Sequence, residues 1–315
     1  MGRWTNWFLI AFACLGQGAF SAFPVCAENR SGLSVNERQT LMHKGIERSY
    51  EIRVPKGLVK QDLRVPLVLV LHGGGGNGPN AEKMTGFTEK AIKENFIVVY
   101  PEGASRSRLS RLHTWNAVHC CGYAMEKKAD DVGFIHALLD KLMADYPVDA
   151  KRIYVTGLSN GGMMAHRLGI ELSFRIAAIA PVIAALFGDE KKPVHPVSAM
   201  MINGMLDQSV PYQGGAPGGR FPDAWDGTPV QPAVNQAGFW AAANGCEPGP
   251  DIRDSGSLVV TRYRCPEGRD VRLYLVKDSG HAWPGGKAGT RRGDKPGSSV
   301  NATDIIWDFF KAQAK

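Results

Sequence analysis

The sequence has few of the features that mark metal-binding or low-complexity proteins. Its 315 residues include only six cysteines and no Cys-x-x-Cys pair, and the two adjacent cysteines have poor geometry for zinc. No internal repeat or low-complexity segment is present. With 44% hydrophobic and 21% charged residues, the composition is typical of a globular protein with one large core. We expect neither a metal nor a cofactor.

The chain has no large excess of charge of one sign, because its 37 Lys and Arg residues and 30 Asp and Glu residues leave a formal net charge of +7. The basic residues are scattered apart from one cluster at 287–295. This distribution favours solubility over nucleic-acid binding, so we expect no nucleic-acid partner. The sequence does not determine the oligomeric state.

The apolar run from Trp7 to Ala22 is short for a membrane span. Arg3 precedes the run, and Val25-Cys26-Ala27 offers a small-residue cleavage site. We therefore predict a signal peptide at 1–27, one catalytic domain at 28–315, and a secreted or periplasmic protein without stable membrane insertion. An uncleaved anchor and a lipoprotein are alternatives, although neither Cys14 nor Cys26 lies in a good lipoprotein box.

Export would leave four cysteines, and an even count in an oxidising compartment indicates two disulfides. Cys246 and Cys265 enclose a short loop and are predicted to pair. Cys120 and Cys121 are adjacent, and Cα atoms across a trans peptide lie about 3.8 Å apart, below the usual disulfide range. Whether these two cysteines are bonded therefore stays open.

Buried strands alternate with helical segments along the chain, which predicts an α/β fold with a mostly parallel central sheet flanked by helices. An early strand at Glu47–Val54 is expected to run antiparallel at the sheet edge. Asp131 is the expected cap of a helix that starts at Val132, and Asn301 that of the closing helix. The predicted core strands are Leu67–Leu71, Phe96–Tyr100, Ile153–Thr156, Ile176–Ala180, Ala199–Ile202 and Val271–Val276.

A Gly-x-Ser-x-Gly motif, Gly157 to Gly161, lies between a predicted strand and a predicted helix. This strand, sharp turn and helix would lift the Ser159 hydroxyl above the sheet edge as a nucleophile. The two glycines are needed because a Cβ at either position would crowd the neighbouring strand and helix. The amide of Asn160, at the helix start, points to where a negative oxygen would form.

Four glycines, Gly73 to Gly76, follow the first buried strand. Such a loop could cradle a phosphate, but no Gly-Lys-Ser/Thr follows and the Rossmann spacing is absent. We favour an oxyanion-hole loop in which the amide of Gly73 or Gly74 completes the hole begun by Asn160.

Asp207 and His281 each follow a predicted core strand, and they come after Ser159 in the order of an α/β-hydrolase triad. His281 is the expected base, and Asp207 fixes its tautomer and stabilises its cation. Asp223, Asp226 and Asp278 are weaker candidates for the acid because they do not end a strand, and His72 and His166 are expected to be structural.

Aromatic residues in loops could form one wall of a substrate cleft. Trp283 lies two residues after His281, and Trp115, Phe221 and Trp225 lie in loops that could reach the same face. The Gly- and Pro-rich segment Gln213–Gln231 is long enough to be a lid or a substrate-binding loop. We predict that Trp283 and Trp115 contact the substrate, with packing inside the protein as the alternative.

Several motifs together resemble the secreted polyhydroxybutyrate depolymerase and feruloyl esterase family of α/β-hydrolases. They are Leu71-His-Gly-Gly-Gly-Gly, Gly157-Leu-Ser-Asn-Gly-Gly-Met-Met, Asn203-Gly-Met-Leu-Asp207, Gly280-His-Ala-Trp-Pro-Gly-Gly, and the Cys-Cys-Gly and Asp-Asp-Val-Gly-Phe runs of 115–134. The resemblance covers about residues 40–312. It implies a serine carboxylic-ester hydrolase with Ser159, Asp207 and His281 as its triad, acting on polyester oligomers, feruloyl esters or acetylated sugars.

Three alternatives remain at this stage: an acetyl-carbohydrate esterase, a serine peptidase of the same fold, and a non-catalytic binding protein on a hydrolase scaffold. A peptidase would need a site for the peptide amine and usually an added domain. A scaffold protein would commonly lose a triad member, and all three are kept here. The chain lacks the linker and binding domain of many polymer depolymerases, which favours soluble esters. The acyl and alcohol parts of the substrate stay undetermined.

Overall fold

A computed structural model describes residues 32–58, 63–107, 110–218, 224–289 and 293–315. The predicted signal peptide, Phe221 and Asp223 lie outside these ranges. Within these ranges, no helix is both long and apolar enough to cross a membrane.

A ten-stranded sheet dominates the described part of the chain, in the order β1-β2-β4-β3-β5-β6-β7-β10-β9-β8. The six central strands, from β4 to β10 in this order, are parallel, and two antiparallel strands flank them on each side. The strands are β1 (Leu33–His43), β2 (Ile46–Pro55), β3 (Val65–Leu71), β4 (Ile97–Pro101), β5 (Val148–Leu158), β6 (Ala178–Val182), β7 (Ser198–Gly204), β8 (Asp251–Asp254), β9 (Leu258–Arg262) and β10 (Val271–Val276).

Helices cover both faces of this sheet, because its central strands are apolar on both sides. In β3, Leu67, Leu69 and Leu71 face α4, α5 and α6, whereas Val68 and Val70 face α1, α2 and α7. The helices are α1 (Gly78–Thr85), α2 (Phe87–Glu94), α3 (Gly122–Glu126), α4 (Asp131–Asp145), α5 (Asn160–Glu171), α6 (Ala233–Asn244) and α7 (Ala302–Phe310). The mostly parallel sheet flanked by helices is as predicted.

Two details of the amino-terminal half differ from the prediction. The strand β2 is antiparallel as expected, but it is not at the edge, because β1 pairs along its outer side. The side chain that caps α4 belongs to Asp130, which accepts a hydrogen bond from the Gly133 amide. Asp131 is instead buried, where it accepts hydrogen bonds from Arg48 (2.6 Å) and from the Asn116 amide (2.8 Å). Asn301 caps α7 as predicted.

Both cysteine pairs are disulfide-bonded. Cys246, after the end of α6, is bonded to Cys265, which follows β9, as the sequence predicts. Cys120 and Cys121 are also bonded to each other. The peptide bond between them is cis rather than the trans form assumed from the sequence, and their Cα atoms lie 3.1 Å apart.

Candidate active site

Ser159 lies in a sharp turn between β5 and α5, at the carboxyl end of a central strand. Its φ of 55° and ψ of −123° put a non-glycine residue in a region that side chains rarely adopt, as a nucleophile elbow requires. The turn is held because the Ser159 amide donates to the carbonyl of Val182, at the end of β6.

Two glycines allow this turn to pack against the sheet. A Cβ on Gly157 would lie 2.6 Å from the backbone of Gly161, and a Cβ on Gly161 would lie 2.4 Å from the carbonyl oxygen of His72. Both contacts are with backbone atoms, which move aside at a higher cost than the end of a flexible side chain does. The crowding expected at these two positions is therefore present.

The side chains of Ser159, His281 and Asp207 form one hydrogen-bonded chain. The Nε2 atom of His281 lies 3.0 Å from the Ser159 hydroxyl oxygen, and its Nδ1 atom lies 2.8 Å from Oδ2 of Asp207. Because a carboxylate only accepts, Nδ1 carries the proton and Nε2 offers its lone pair to the serine. The structure thus brings together three residues that are up to 122 positions apart in the chain.

The Asp207 carboxylate is buried and is fixed from its other side. Its Oδ1 atom accepts hydrogen bonds from the amides of Ser209 (2.7 Å) and Val210 (3.0 Å). Both oxygens of the carboxylate therefore have partners, and Oδ2 is directed at His281. Of the three competing aspartates, the two that lie in the described residues have other partners: Asp226 pairs with His119, and Asp278 accepts from Ser298 and Ser299.

A fourth residue of the site was not predicted. Asp294 accepts a hydrogen bond of 2.6 Å from the backbone amide of His281. Gly280 makes room for it, because a Cβ there would overlap with the Asp294 carboxylate. The sequence gives little signal for this contact, since Asp294 is an exposed acid in a glycine-rich basic loop.

The glycine loop after β3 lies against the elbow, as an oxyanion hole requires. A Cβ on Gly73 would lie 3.4 Å from the carbonyl oxygen of Leu158 and 3.8 Å from Cβ of Ser159. A Cβ on Gly74 would lie 3.6 Å from Cβ of Asn160. The backbones of Gly73 and Gly74 therefore run beside both Ser159 and Asn160.

His72 and His166 are buried, as expected of structural residues. In His72, Nε2 accepts from the Gly103 amide (3.0 Å), so Nδ1 carries the proton that is donated to the carbonyl of Gly73 (2.8 Å). Burial lowers the pKa of His72 to about 4 and that of His166 to about 3, because the charged imidazole loses its hydration. Both side chains are neutral at pH 7.

The prediction that Trp115 and Trp283 contact the substrate is wrong, because both side chains are 0% exposed. Trp283 packs edge-on against Phe87, and its indole NH donates to Thr303 (3.0 Å). Trp115 lies behind the glycine loop, where its indole NH donates to the carbonyl of His72. Neither ring can form a wall of an open cleft, since each is used to pack a loop onto the core.

A cluster of buried apolar side chains is linked to the triad through its backbone. It includes Met163, whose amide donates to the Ser159 carbonyl, and Val210, whose amide donates to Asp207. The partly exposed ring of Trp225 packs on this cluster, 6.4 Å from the ring of Phe187. Trp225 belongs to the described part of the long segment Gln213–Gln231, so this segment does reach the triad side of the sheet.

This chain is similar in sequence to known esterases. A family model described as Esterase PHB depolymerase matches residues 48–212. Feruloyl esterase B from Piromyces equi is 28% identical over 267 residues, which cover 82% of this chain but only 44% of that protein. Feruloyl esterase C from Emericella nidulans is 26% identical over 311 residues, covering 93% of this chain and 96% of that protein.

The fold is also shared with a solved structure. An acetyl xylan esterase from Aspergillus awamori superposes with a TM-score of 0.58 at 14% sequence identity, over 87% of this chain and 99% of that chain. At this identity the likeness concerns the fold alone. The predicted α/β-hydrolase fold is confirmed.

Proposed function

Since this chain belongs to the Esterase PHB depolymerase family, we propose that it is a serine esterase that cleaves carboxylic esters through an acyl-enzyme. The family resemblance read from the motifs is confirmed by the match over residues 48–212. The observation that carries the proposal is the hydrogen-bonded chain from Ser159 through His281 to Asp207, at the carboxyl end of a parallel sheet.

In the proposed first half-reaction, Nε2 of His281 takes the hydroxyl proton as the Ser159 oxygen attacks the ester carbonyl carbon. The carbonyl oxygen becomes an oxyanion, for which the amides of Asn160 and of Gly73 or Gly74 are the proposed donors. The bond to the alcohol oxygen then breaks, and His281 returns the proton to that oxygen. The alcohol leaves, and the acyl group stays on Ser159.

In the second half-reaction, His281 deprotonates a water molecule that attacks the acyl carbon. The same donors hold the second oxyanion, and the bond to the Ser159 oxygen breaks. His281 gives the proton back to Ser159, and the acid is released. Asp207 stabilises the imidazolium in both steps through its bond to Nδ1.

For the substrate, we propose an uncharged ester with a short or aromatic acyl group. The partly exposed ring of Trp225, packed on the buried apolar cluster next to Ser159 and Asp207, suits such a group. A relative of nearly the same length is named feruloyl esterase, so a feruloyl ester is the first candidate. Hydroxybutyrate oligomers are the second candidate, since the family description names PHB depolymerase.

We also propose that the protein is exported. The proposal rests on the sequence of residues 1–27 and on the two disulfides, which form and persist in oxidising compartments. Amino-terminal sequencing of the protein from the culture medium or periplasm should start at Glu28.

The nucleophile is tested by Ser159→Ala together with labelling by a fluorophosphonate probe. The probe should label the wild-type protein and not the variant. The variant should lose about 10⁴- to 10⁶-fold in kcat on p-nitrophenyl acetate while it unfolds at the same temperature as the wild type. A variant that keeps more than a tenth of wild-type kcat would overturn the assignment.

The substrate is tested by comparing kcat/KM on four esters: methyl ferulate, a hydroxybutyrate trimer, p-nitrophenyl acetate and triolein. We expect the first or second to be preferred. Preference for the acetyl ester would favour an acetyl-carbohydrate esterase, and preference for triolein would contradict the proposed short or aromatic acyl group. Trp225→Ala should lower kcat/KM for methyl ferulate more than for p-nitrophenyl acetate.

A further inference from the structure

The two proposed parts of the oxyanion hole come from separate segments of the chain. The amide of Asn160 begins α5, whereas the amides of Gly73 and Gly74 follow β3. Donors must lie about 2.7–3.1 Å from the developing oxyanion, so the spacing between the two segments decides how well both can bind it. A residue that fixes this spacing would act on the rate of the chemical step.

Trp115 is hydrogen-bonded to both segments. On one side, the Asn160 side chain pairs with the backbone of Trp115: Oδ1 accepts from the Trp115 amide (2.7 Å), and Nδ2 donates to the Trp115 carbonyl (2.9 Å). On the other side, the indole NH of Trp115 donates to the carbonyl of His72, the residue before Gly73 (3.0 Å).

The second link continues into the glycine loop. The Trp115 ring lies 5.1 Å from the His72 ring, and the His72 imidazole donates to the carbonyl of Gly73. The side chains of Trp115, Asn160 and His72 are all buried, so water does not compete for these hydrogen bonds. Hydrogen bonds joined through Trp115 and His72 thus connect the Asn160 side chain to the Gly73 carbonyl.

We propose that Trp115 is a positioning residue that sets the distance between the two parts of the oxyanion hole. The proposal rests on the esterase function proposed above. It assigns to the indole NH of Trp115 a role that a buried ring alone would not have, because this NH is the group of Trp115 that donates to the carbonyl of His72, next to the glycine loop. Trp115 itself touches no reacting atom.

The test is Trp115→Phe, which keeps an aromatic ring in the core and removes the indole NH. We expect kcat on p-nitrophenyl acetate to fall about tenfold to a hundredfold with KM within twofold, because the oxyanion forms only in the transition state. Trp240→Phe is the matched control: Trp240 is equally buried and donates its NH to His166 in the helical layer (3.0 Å). The control should lose stability and keep kcat.

A second variant, Asn160→Ala, keeps the Asn160 backbone amide and breaks the link from its other end. If Trp115 and Asn160 act through one connection, the double variant should lose little more kcat than the worse single variant. Trp115→Phe with kcat within twofold of wild type, an equal loss in Trp240→Phe, or multiplicative losses in the double variant would each overturn the proposal. These outcomes are independent of Ser159→Ala, which tests the esterase function itself.

Discussion

The backbone amide of His281 donates a 2.6 Å hydrogen bond to the carboxylate of Asp294, a residue 13 positions further along the chain. His281 lies in a loop, so the strands do not hold its backbone directly. Asp207 orients the imidazole, and Asp294 holds the main chain that carries it. The position of the proposed base is therefore fixed from two sides.

Removal of the Asp294 carboxylate should loosen this loop. We expect Asp294→Ala to lower kcat by about tenfold, equivalent to about 1.4 kcal/mol in the activation barrier, and Asp294→Asn to recover part of the loss because an amide oxygen still accepts. Asp278→Ala is the control, since Asp278 holds Ser298 and Ser299 of the same loop. Equal loss of kcat in the two alanine variants would show that only loop stability matters.

Asp207→Asn should be far more harmful to catalysis than to folding. The Asn oxygen can keep the bonds from the amides of Ser209 and Val210, and its NH₂ group then faces Nδ1 of His281. The imidazole would adopt the wrong tautomer, so we expect kcat to fall about 10⁴-fold. Steady-state kinetics and circular dichroism should show an inactive, folded protein; a loss below tenfold would remove Asp207 from the triad.

Gly161→Ala should destabilise the protein. The added methyl group would lie 2.4 and 2.5 Å from the carbonyl oxygens of His72 and Leu71, so the elbow or β3 must shift, at a cost of about 1–3 kcal/mol. Gly238→Ala in α6 is the control, because its methyl group meets nothing within 4 Å and alanine favours a helix by about 0.5–1 kcal/mol. Urea unfolding should move the two midpoints in opposite directions.

Buried His166 makes the stability depend on pH. Burial lowers the pKa of His166 to about 3, whereas an unfolded histidine titrates near pH ~6.5. Between these values the unfolded state binds the extra proton, so this contribution is complete above pH ~6.5 and is lost as the pH falls. His166 alone should cost about 2.5 kcal/mol at pH 4.5 relative to pH 7.

The check is the free energy of unfolding from pH 7 to 4.5 in wild-type protein and in His166→Gln. The variant should be less stable at pH 7, because Trp240 and Gln236 lose their imidazole partner. Its pH dependence should be shallower by up to about 1.4 kcal/mol per pH unit. Parallel curves for the two proteins would contradict a neutral buried imidazole.

The Cys246–Cys265 disulfide closes a loop with a sequence separation of 19. On the chain-entropy account, a loop of this size stabilises the fold by about 3 kcal/mol. The double variant Cys246→Ser, Cys265→Ser should lose about this much free energy of unfolding in urea and keep wild-type kcat. An unchanged unfolding midpoint would show that the bond does not contribute to stability.

The sequence predicted the triad and the glycine loop because the signals for them are local. Ser159 is marked by glycines two residues away on either side, and His72 to Gly76 directly follows an apolar strand. Asp207 and His281 follow predicted core strands, and the carboxyl ends of parallel strands meet at one edge of a sheet. Strand order and contact distances were not needed to predict that these groups lie close together.

The errors concern residues whose role depends on which segments meet. The strand β1 was missed because its residues are mostly polar and exposed, and only its pairing with β2 makes it a strand. Asp131 looked like a cap beside Asp130, but Arg48 of β2 packs against it and pairs with its carboxylate. In both cases the deciding partner is distant in sequence.

The reactive groups of the site differ in the same way from the residues that hold them in place: local patterns mark the first, and distant partners decide the second. The sequence alone determined the Gly-x-Ser-x-Gly motif, the strand ends that carry the proposed acid and base, and the α/β class, because each of these signals lies within a few residues. Only the tertiary structure decided that Trp115 and Trp283 are buried, that Asp294 holds His281, and that Trp225 reaches the triad side. Burial and long-range hydrogen bonds depend on how loops from different strands pack together, and a pattern within one loop does not record its neighbours.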